Sequence, residues 1–318
     1  MSKNLNKNFL DFLDKVNISN KNICTLKSDA SNRTYYRDLS KKNNFLIMDS
    51  SLEKNSLKNF INISKWLKSK NYSVPEIYFK NLSKGFCVIE DFGDNKFSNL
   101  KPLNMQEKYR LTIRLLVSLS KLKPPKFLKS YSKIIFMKEL NLFLNWYLFY
   151  NKTKNKHALL EWQNIWKKLF LNIIRFNYKS LVLRDFHIDN LFWLEKKANI
   201  QKVGLIDFQD ALIGHPCYDL VSLLQDVRNN ISNKDQHSLY NYYISISNLE
   251  KKSFEEAYFI FGTQRLIKII GIFYRLKYLN KKENYIKYIP RTWFLLKRNL
   301  KFGPLNELSN WFKRYVFK

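Results

Sequence analysis

Cysteine is scarce in this chain of 318 residues: Cys24, Cys87 and Cys217 lie far apart, and none stands in a CxxC spacing. An odd number of scattered thiols speaks against a disulfide framework or a cysteine zinc site and fits a reducing compartment. No run of about 18 uncharged apolar residues occurs, which argues against a membrane span. The stretch 258–279 comes closest, but Arg265, Lys268 and Arg275 interrupt it. The opening MSKNLNKNFLDFLDK has no apolar core of the signal-peptide kind. A cytoplasmic protein without a membrane partner is therefore expected. Glycine and proline number seven each, and there is no Pro/Gly/Ser-rich linker and no repeat.

Acidic residues are also few, 26 against 56 Lys and Arg, so the formal net charge is +30. Such an excess favours anionic ligands. The lysines are scattered rather than gathered into a stripe. They accompany many Asn, Ile, Phe and Tyr, whose codons are also AT-rich. Composition bias accounts for the charge better than a nucleic-acid partner does. With 45% hydrophobic and 26% charged residues, the chain is globular. Its length suits two lobes.

Periodicity predicts a helix over Asn4–Val16, then short strands at Ile23–Leu26, Thr34–Leu39 and Phe45–Met48. A helix over Ser56–Lys68 and extended runs at Glu76–Phe79 and Phe86–Glu90 follow. Beyond Asp91–Asp94, which reads as a connector, the pattern becomes helical. Helices are predicted over Gln106–Leu122, Leu140–Tyr150, Glu161–Phe176, Asp219–Arg228, Asp235–Tyr243, Phe254–Tyr278 and Tyr288–Phe302. Two β-like runs interrupt them, Leu181–Arg184 and Val203–Asp207. This predicts an α+β chain, with a strand-rich N-lobe over 1–92 and a helical C-lobe over 93–318.

Two segments carry chemistry. In Leu181-Val-Leu-Arg-Asp185-Phe-His187-Ile-Asp-Asn190-Leu, an apolar strand delivers an aspartate, and an asparagine follows five residues later. In phosphoryl transfer, the aspartate meets the acceptor hydroxyl and the asparagine turns back to a metal ion. Seventeen residues beyond Asn190, Val203-Gly-Leu-Ile-Asp207 again ends a strand on an aspartate. Mg²⁺ takes one or two carboxylates plus phosphate oxygens, so Asn190 and Asp207 together make a metal pair. Either segment alone is also compatible with a satisfied turn aspartate. Both together, in this order after a strand-rich lobe, point to ATP chemistry.

The pair resembles the HxDxxxxN loop and following IDF/IDW segment of aminoglycoside phosphotransferase-like kinases. The resemblance implies a bilobal protein-kinase-like fold, with an antiparallel-sheet N-lobe and a mostly helical C-lobe. It makes Asp185 catalytic and Asn190 and Asp207 the metal ligands, with ATP and Mg²⁺ as cofactors. Gly214-His-Pro-Cys-Tyr-Asp219-Leu is similar to the family's G-x-P-x-Y-D-L stretch, which makes Asp219 a brace of the catalytic loop. His187 takes a supporting role. Ser28-Asp-Ala-Ser31-Asn32-Arg33-Thr-Tyr-Tyr-Arg37, together with Gln264-Arg265…Lys268…Gly271…Arg275, resembles one subgroup, the bacterial N-acetylmuramate/N-acetylglucosamine kinases of cell-wall recycling. Phosphorylation of the anomeric hydroxyl of an amino sugar is what that subgroup implies.

Two departures stand out. Loop 28–33 lacks glycines, so its small residues would have to bring backbone N–H groups to phosphates. An ordinary turn is the plain alternative. The strand Phe45–Met48 lacks the lysine that many kinases set against the nucleotide phosphates, and Arg33 or Arg37 would substitute. Ser28, Ser31, Asn32, Arg33 and Glu90 are the candidate nucleotide contacts, with adenine near Ile89–Phe92. Asp210, Arg228, Arg265, Lys268 and Arg275 are candidate acceptor contacts. Each of these basic residues also reads as a solvated or paired surface charge. Trp146, Trp162 and Trp193 are read as core. Other acceptors (choline, homoserine, another sugar) and a non-catalytic kinase-like binding protein remain open at this stage.

Overall fold

The computed structural model describes residues 6–26, 32–40, 44–101, 105–149, 155–175 and 178–317. In chain order its elements are α1 (Lys7–Lys15), β1 (Ile23–Thr25), β2 (Thr34–Asp38), β3 (Phe45–Asp49), α2 (Lys54–Ser69), β4 (Ile77–Asn81) and β5 (Phe86–Glu90). There follow α3 (Met105–Ser120), α4 (Lys133–Leu142), a π-helical turn at Phe143–Leu148, α5 (Lys156–Ile174), β6 (Ser180–Val182), β7 (Leu191–Trp193), β8 (Val203–Leu205) and β9 (Leu212–Gly214). The last elements are α6 (Cys217–Leu224), α7 (Asn233–Ser247), α8 (Lys251–Tyr278), α9 (Ile289–Asn299) and α10 (Asn306–Tyr315). Two compact units form, one from residues 1–103 with 188–211, the other from 104–187 with 212–318.

The first unit is built on an antiparallel sheet of order β1-β2-β3-β5-β4. Its central strands read FLIMD and FCVIE, β-branched and aromatic residues that suit a pleated, half-buried surface. Helix α1 lays Phe9, Phe12 and Leu13 on Tyr36, Ile47, Phe86 and Val88, forming one apolar cluster. Helix α2 turns Leu57, Phe60, Ile61, Ile63 and Leu67 inward. Phe60 stacks on Phe208 at 5.1 Å between ring centres. That contact ties α2 to the segment just after β8. Strands β7 and β8 pair antiparallel, with Leu191 opposite Leu205. Gly85 sits at φ +87°, and a Cβ there would lie 2.7 Å from the Ser51 Cα, so the turn before β5 requires glycine.

The second unit is helical around α8, which buries residues on every side over most of its length. Such a helix is a core element rather than a surface one. It packs against α4, α6, α9 and the π-helical turn. Gly271 makes the closest of these approaches possible: a Cβ there would come within 2.4 Å of the Leu142 carbonyl carbon. Helix α5 starts where Asn155 accepts the N–H groups of His157 and Ala158. Its Trp162 is fully buried, 4.6 Å from the ring of Trp311, and so serves the core as read.

The long, periodic elements match the sequence reading to within a few residues. Helix α10, strands β7 and β9 and most of α4 were not predicted. The two strands have three residues each and exist through their pairing with β8 and β6.

Candidate active site

The loop after β6 is held from below by one carboxylate. The N–H groups of Leu183 and Arg184 donate to Asp219 Oδ2 and Oδ1 at 2.7 and 2.9 Å. The Ser222 hydroxyl donates to the Arg184 carbonyl at 3.3 Å. Both side chains that hold the loop, the accepting Asp219 and the donating Ser222, come from α6, which begins directly after the GHP segment. Arg184 has φ +72°, a left-handed conformation that a bulky residue adopts only when its surroundings impose it. A tight turn follows, with Asp185 N–H to the Leu183 carbonyl at 3.0 Å and His187 N–H to the Asp185 carbonyl at 3.1 Å. The chain thus turns sharply at the aspartate, and His187 is buried just after it.

Under this loop lies a buried charge cluster that sequence reading missed. Glu139 on α4 accepts from the Arg184 guanidinium, the Tyr131 hydroxyl, Gln264 Nε2 at 2.8 Å and Lys268 Nζ at 3.0 Å. Lys268 also donates to the Tyr218 hydroxyl at 3.2 Å. Burial opposes the charge on Glu139, but Lys268 and Arg184 overcome it and bring the carboxyl down to about 2. Burial likewise pushes Asp185 up, yet Lys268, His187, Arg184 and Arg265 outweigh it and hold this carboxyl below its ordinary value. Burial raises Asp219 to about 7, against the two N–H bonds that favour its ionised form. The signal for Glu139 was there to be found: with Phe136, Leu140 and Phe143 it falls on the apolar stripe of its helix, where an unpaired carboxylate would not be tolerated.

In the first unit the two residues read as metal ligands lie together. Asn190 Nδ2 lies 3.4 Å from Asp207 Oδ2. The other oxygen of Asp207 accepts from Arg33 Nη2 at 2.9 Å and Gln209 Nε2 at 3.0 Å. Asp207 has φ +60°, the second strained non-glycine residue at these motifs. Three donors, of which only Arg33 is charged, converge on a single carboxylate. Among the described residues, no group of three or more His, Cys, Asp and Glu side chains stands ready for a metal. A set of one carboxylate and one amide instead fits a hard cation that keeps water and phosphate oxygens in its shell.

Of the nucleotide contacts read from sequence, Ser28 and Ser31 lie outside the described residues. Asn32 donates to Glu53 Oε1 at 3.0 Å, and Arg33, buried on Asp207, also approaches Glu53 at 3.8 Å. Arg37 instead holds the connector, bonding Asp91, Asp94 and the Gly93 carbonyl. Glu90 ends β5 and accepts the Glu76 N–H at 3.1 Å, and burial raises its carboxyl. Asp210 is exposed and lines an open depression of about 740 Å³ with Ser51–Ser56. Of the acceptor contacts, Arg265 is buried, Arg275 is half-buried on α8, and Arg228 pairs loosely with Asp226 at 3.7 Å.

An antiparallel five-stranded sheet, a helical second unit and this loop pair define a kinase-like phosphotransferase. Residues 22–251 match the APH phosphotransferase enzyme family, and the chain belongs to that family. It is 29% identical over 270 residues to the N-acetylmuramate/N-acetylglucosamine kinase of Caulobacter vibrioides, covering 81% of this chain and 74% of the other. The enzyme of the same name from Pseudomonas aeruginosa is 28% identical, with 88% and 86% covered. In fold the chain is similar to the aminoglycoside phosphotransferase APH(2'')-Ib in its ADP-bound crystal structure, at TM-score 0.63 and 14% identity over 92% of this chain and 97% of that one. It is also similar to APH(2'')-IIa in its gentamicin complex, at TM-score 0.65 and 14% identity over 96% and 99%. No helix among the described residues is long and apolar enough to cross a membrane.

Proposed function

We propose that this phosphotransferase moves the γ-phosphoryl group of ATP onto the anomeric hydroxyl of an amino sugar, N-acetylmuramate or N-acetylglucosamine. The observation that carries the reading is the catalytic loop. Asp185 follows a strained Arg184 that Asp219, Ser222 and Glu139 hold at once. The N-acetylmuramate/N-acetylglucosamine kinases of Caulobacter vibrioides and Pseudomonas aeruginosa support the acceptor class.

Asp185 orients the acceptor hydroxyl and takes its proton as the oxygen–phosphorus bond forms and the bond to the ADP oxygen breaks. Its lowered pKa suits that role, because a loose transition state asks for positioning more than for a strong base. Asn190 and Asp207 are the residues that would hold Mg²⁺. When bound, Mg²⁺ neutralises charge on the phosphate oxygens. Arg33 replaces the missing strand lysine: a guanidinium already poised on Asp207 meets phosphate with a bidentate fork. Such a reaction belongs in the cytoplasm, where ATP is held.

The test is a screen with radiolabelled ATP over cell-wall amino sugars, other hexoses, choline and homoserine, with ³¹P NMR of the product. A sugar 1-phosphate is expected. A 6-phosphate overturns the anomeric assignment, and turnover confined to choline or homoserine overturns the acceptor class.

A further inference from the structure

Helix α8 carries a buried cation whose hydrogen-bonding capacity its surroundings leave unfilled. Arg265 is only 4% exposed. Its buried Nη1 has no hydrogen-bond acceptor, and the guanidinium forms no ion pair among the described residues. Buried guanidinium groups are normally paired, because desolvating an uncompensated charge is costly.

The carboxylates of the same unit do not meet this need. Glu139 is occupied by Arg184, Lys268, Gln264 and Tyr131. Asp219 is occupied by two backbone N–H groups. Asp226 accepts from the Arg228 N–H at 3.0 Å. Asp185 feels the charge of Arg265, but no hydrogen bond joins the two. Lys268, one turn along the helix, is committed to Glu139 and Tyr218 and is no rival for an outside anion.

We propose that Arg265 is the specificity-determining residue for an acidic acceptor, its guanidinium taking the lactyl carboxylate of an N-acetylmuramate-type sugar near Asp185. The inference rests on the amino-sugar reading above and deepens it. N-acetylglucosamine lacks the carboxylate, so it leaves the guanidinium unmatched and binds through its other groups alone. Arginine rather than lysine fits the task, since its planar fork meets both carboxylate oxygens at once.

The experiment compares kcat/KM for N-acetylmuramate, its methyl ester and N-acetylglucosamine in the wild type, Arg265→Gln and Arg265→Lys. In Arg265→Gln the ratio of N-acetylmuramate to N-acetylglucosamine should fall about 30-fold or more, mainly through KM, as expected for losing a charge-assisted bond. Arg265→Lys should recover part of that ratio. In the wild type, esterification should lower kcat/KM by a similar factor, a result that needs no variant to fold. An unchanged ratio, with both sugars losing activity together, overturns the inference alone and makes Arg265 a support of the loop. Equal use of acid and ester by the wild type also overturns it. A wild type that phosphorylates neither sugar overturns the amino-sugar reading and this inference with it.

Discussion

Asp207 and Asp185, the aspartates of the two motifs, are held in different ways. Asp207, in the first unit, is restrained through its own side chain, where Arg33, Gln209 and Asn190 all aim at its oxygens. Its side chain keeps 32% of its surface exposed. Asp185, in the second unit, is restrained through its backbone. The preceding residues are fastened to Asp219 and Ser222, and its carboxyl is set by surrounding cations. A ligand for an exchangeable cation needs donors that can yield, whereas a group that meets a reacting hydroxyl needs a fixed position. On the proposed reading, the difference matches a division of labour between metal binding and chemistry.

That comparison breaks first at the aspartates themselves. Asp185→Asn should lower turnover by about 10²–10⁴-fold while nucleotide affinity stays nearly unchanged. Steady-state kinetics and calorimetry check the two halves. Asp207→Ala should do the reverse in binding, abolishing the Mg²⁺-dependent part of nucleotide affinity. Titrations with Mg²⁺ and with EDTA measure it, and equal affinity in both would remove Asp207 from the metal site.

The next effect tests the support of the loop. Glu139→Ala leaves Arg184 and Lys268 buried without their shared counter-charge. It should destabilise the protein by about 3–5 kcal/mol, read from denaturant unfolding. Glu139→Gln keeps the shape and part of the hydrogen bonding, so a smaller loss is expected. If both variants match the wild type, the cluster does not fix the loop.

The smallest effect concerns pH. Burial holds His215 down to about 3, so it stays neutral in the folded chain through mild acid. The unfolded chain binds that proton near pH 6.5, and between these values it carries more protons than the folded one. Stability from this group is therefore present above pH 6.5 and lost as pH falls toward 3. His215→Phe should flatten that slope, as measured by melting temperature between pH 7 and 4. A slope unchanged from the wild type would show that other groups carry the acid sensitivity.

Much of this protein was readable before any coordinates. A strand ending on Asp185, an asparagine five residues on and a second strand ending on Asp207 form a local pattern, and local patterns survive in sequence. The same holds for α2, whose apolar residues repeat on one face, and for α8, which is too long for a strand. Strand β9 was not legible, because three residues become a strand only when a distant partner supplies hydrogen bonds. The use of Arg37 on the connector and of Arg33 on Asp207 was equally hidden. Both are arginines in one strand-rich stretch, and only their neighbours in space tell them apart.

The sequence by itself determined the order of the long periodic elements, the two aspartate-bearing turns and the family, because each is written in residues close along the chain. Tertiary structure alone decided that Glu139, 46 residues before Asp185, holds Arg184 and that Arg265 stays buried with its Nη1 lacking a hydrogen-bond acceptor. Charge pairing in a low-dielectric interior depends on distance in space, and a linear pattern does not record that distance.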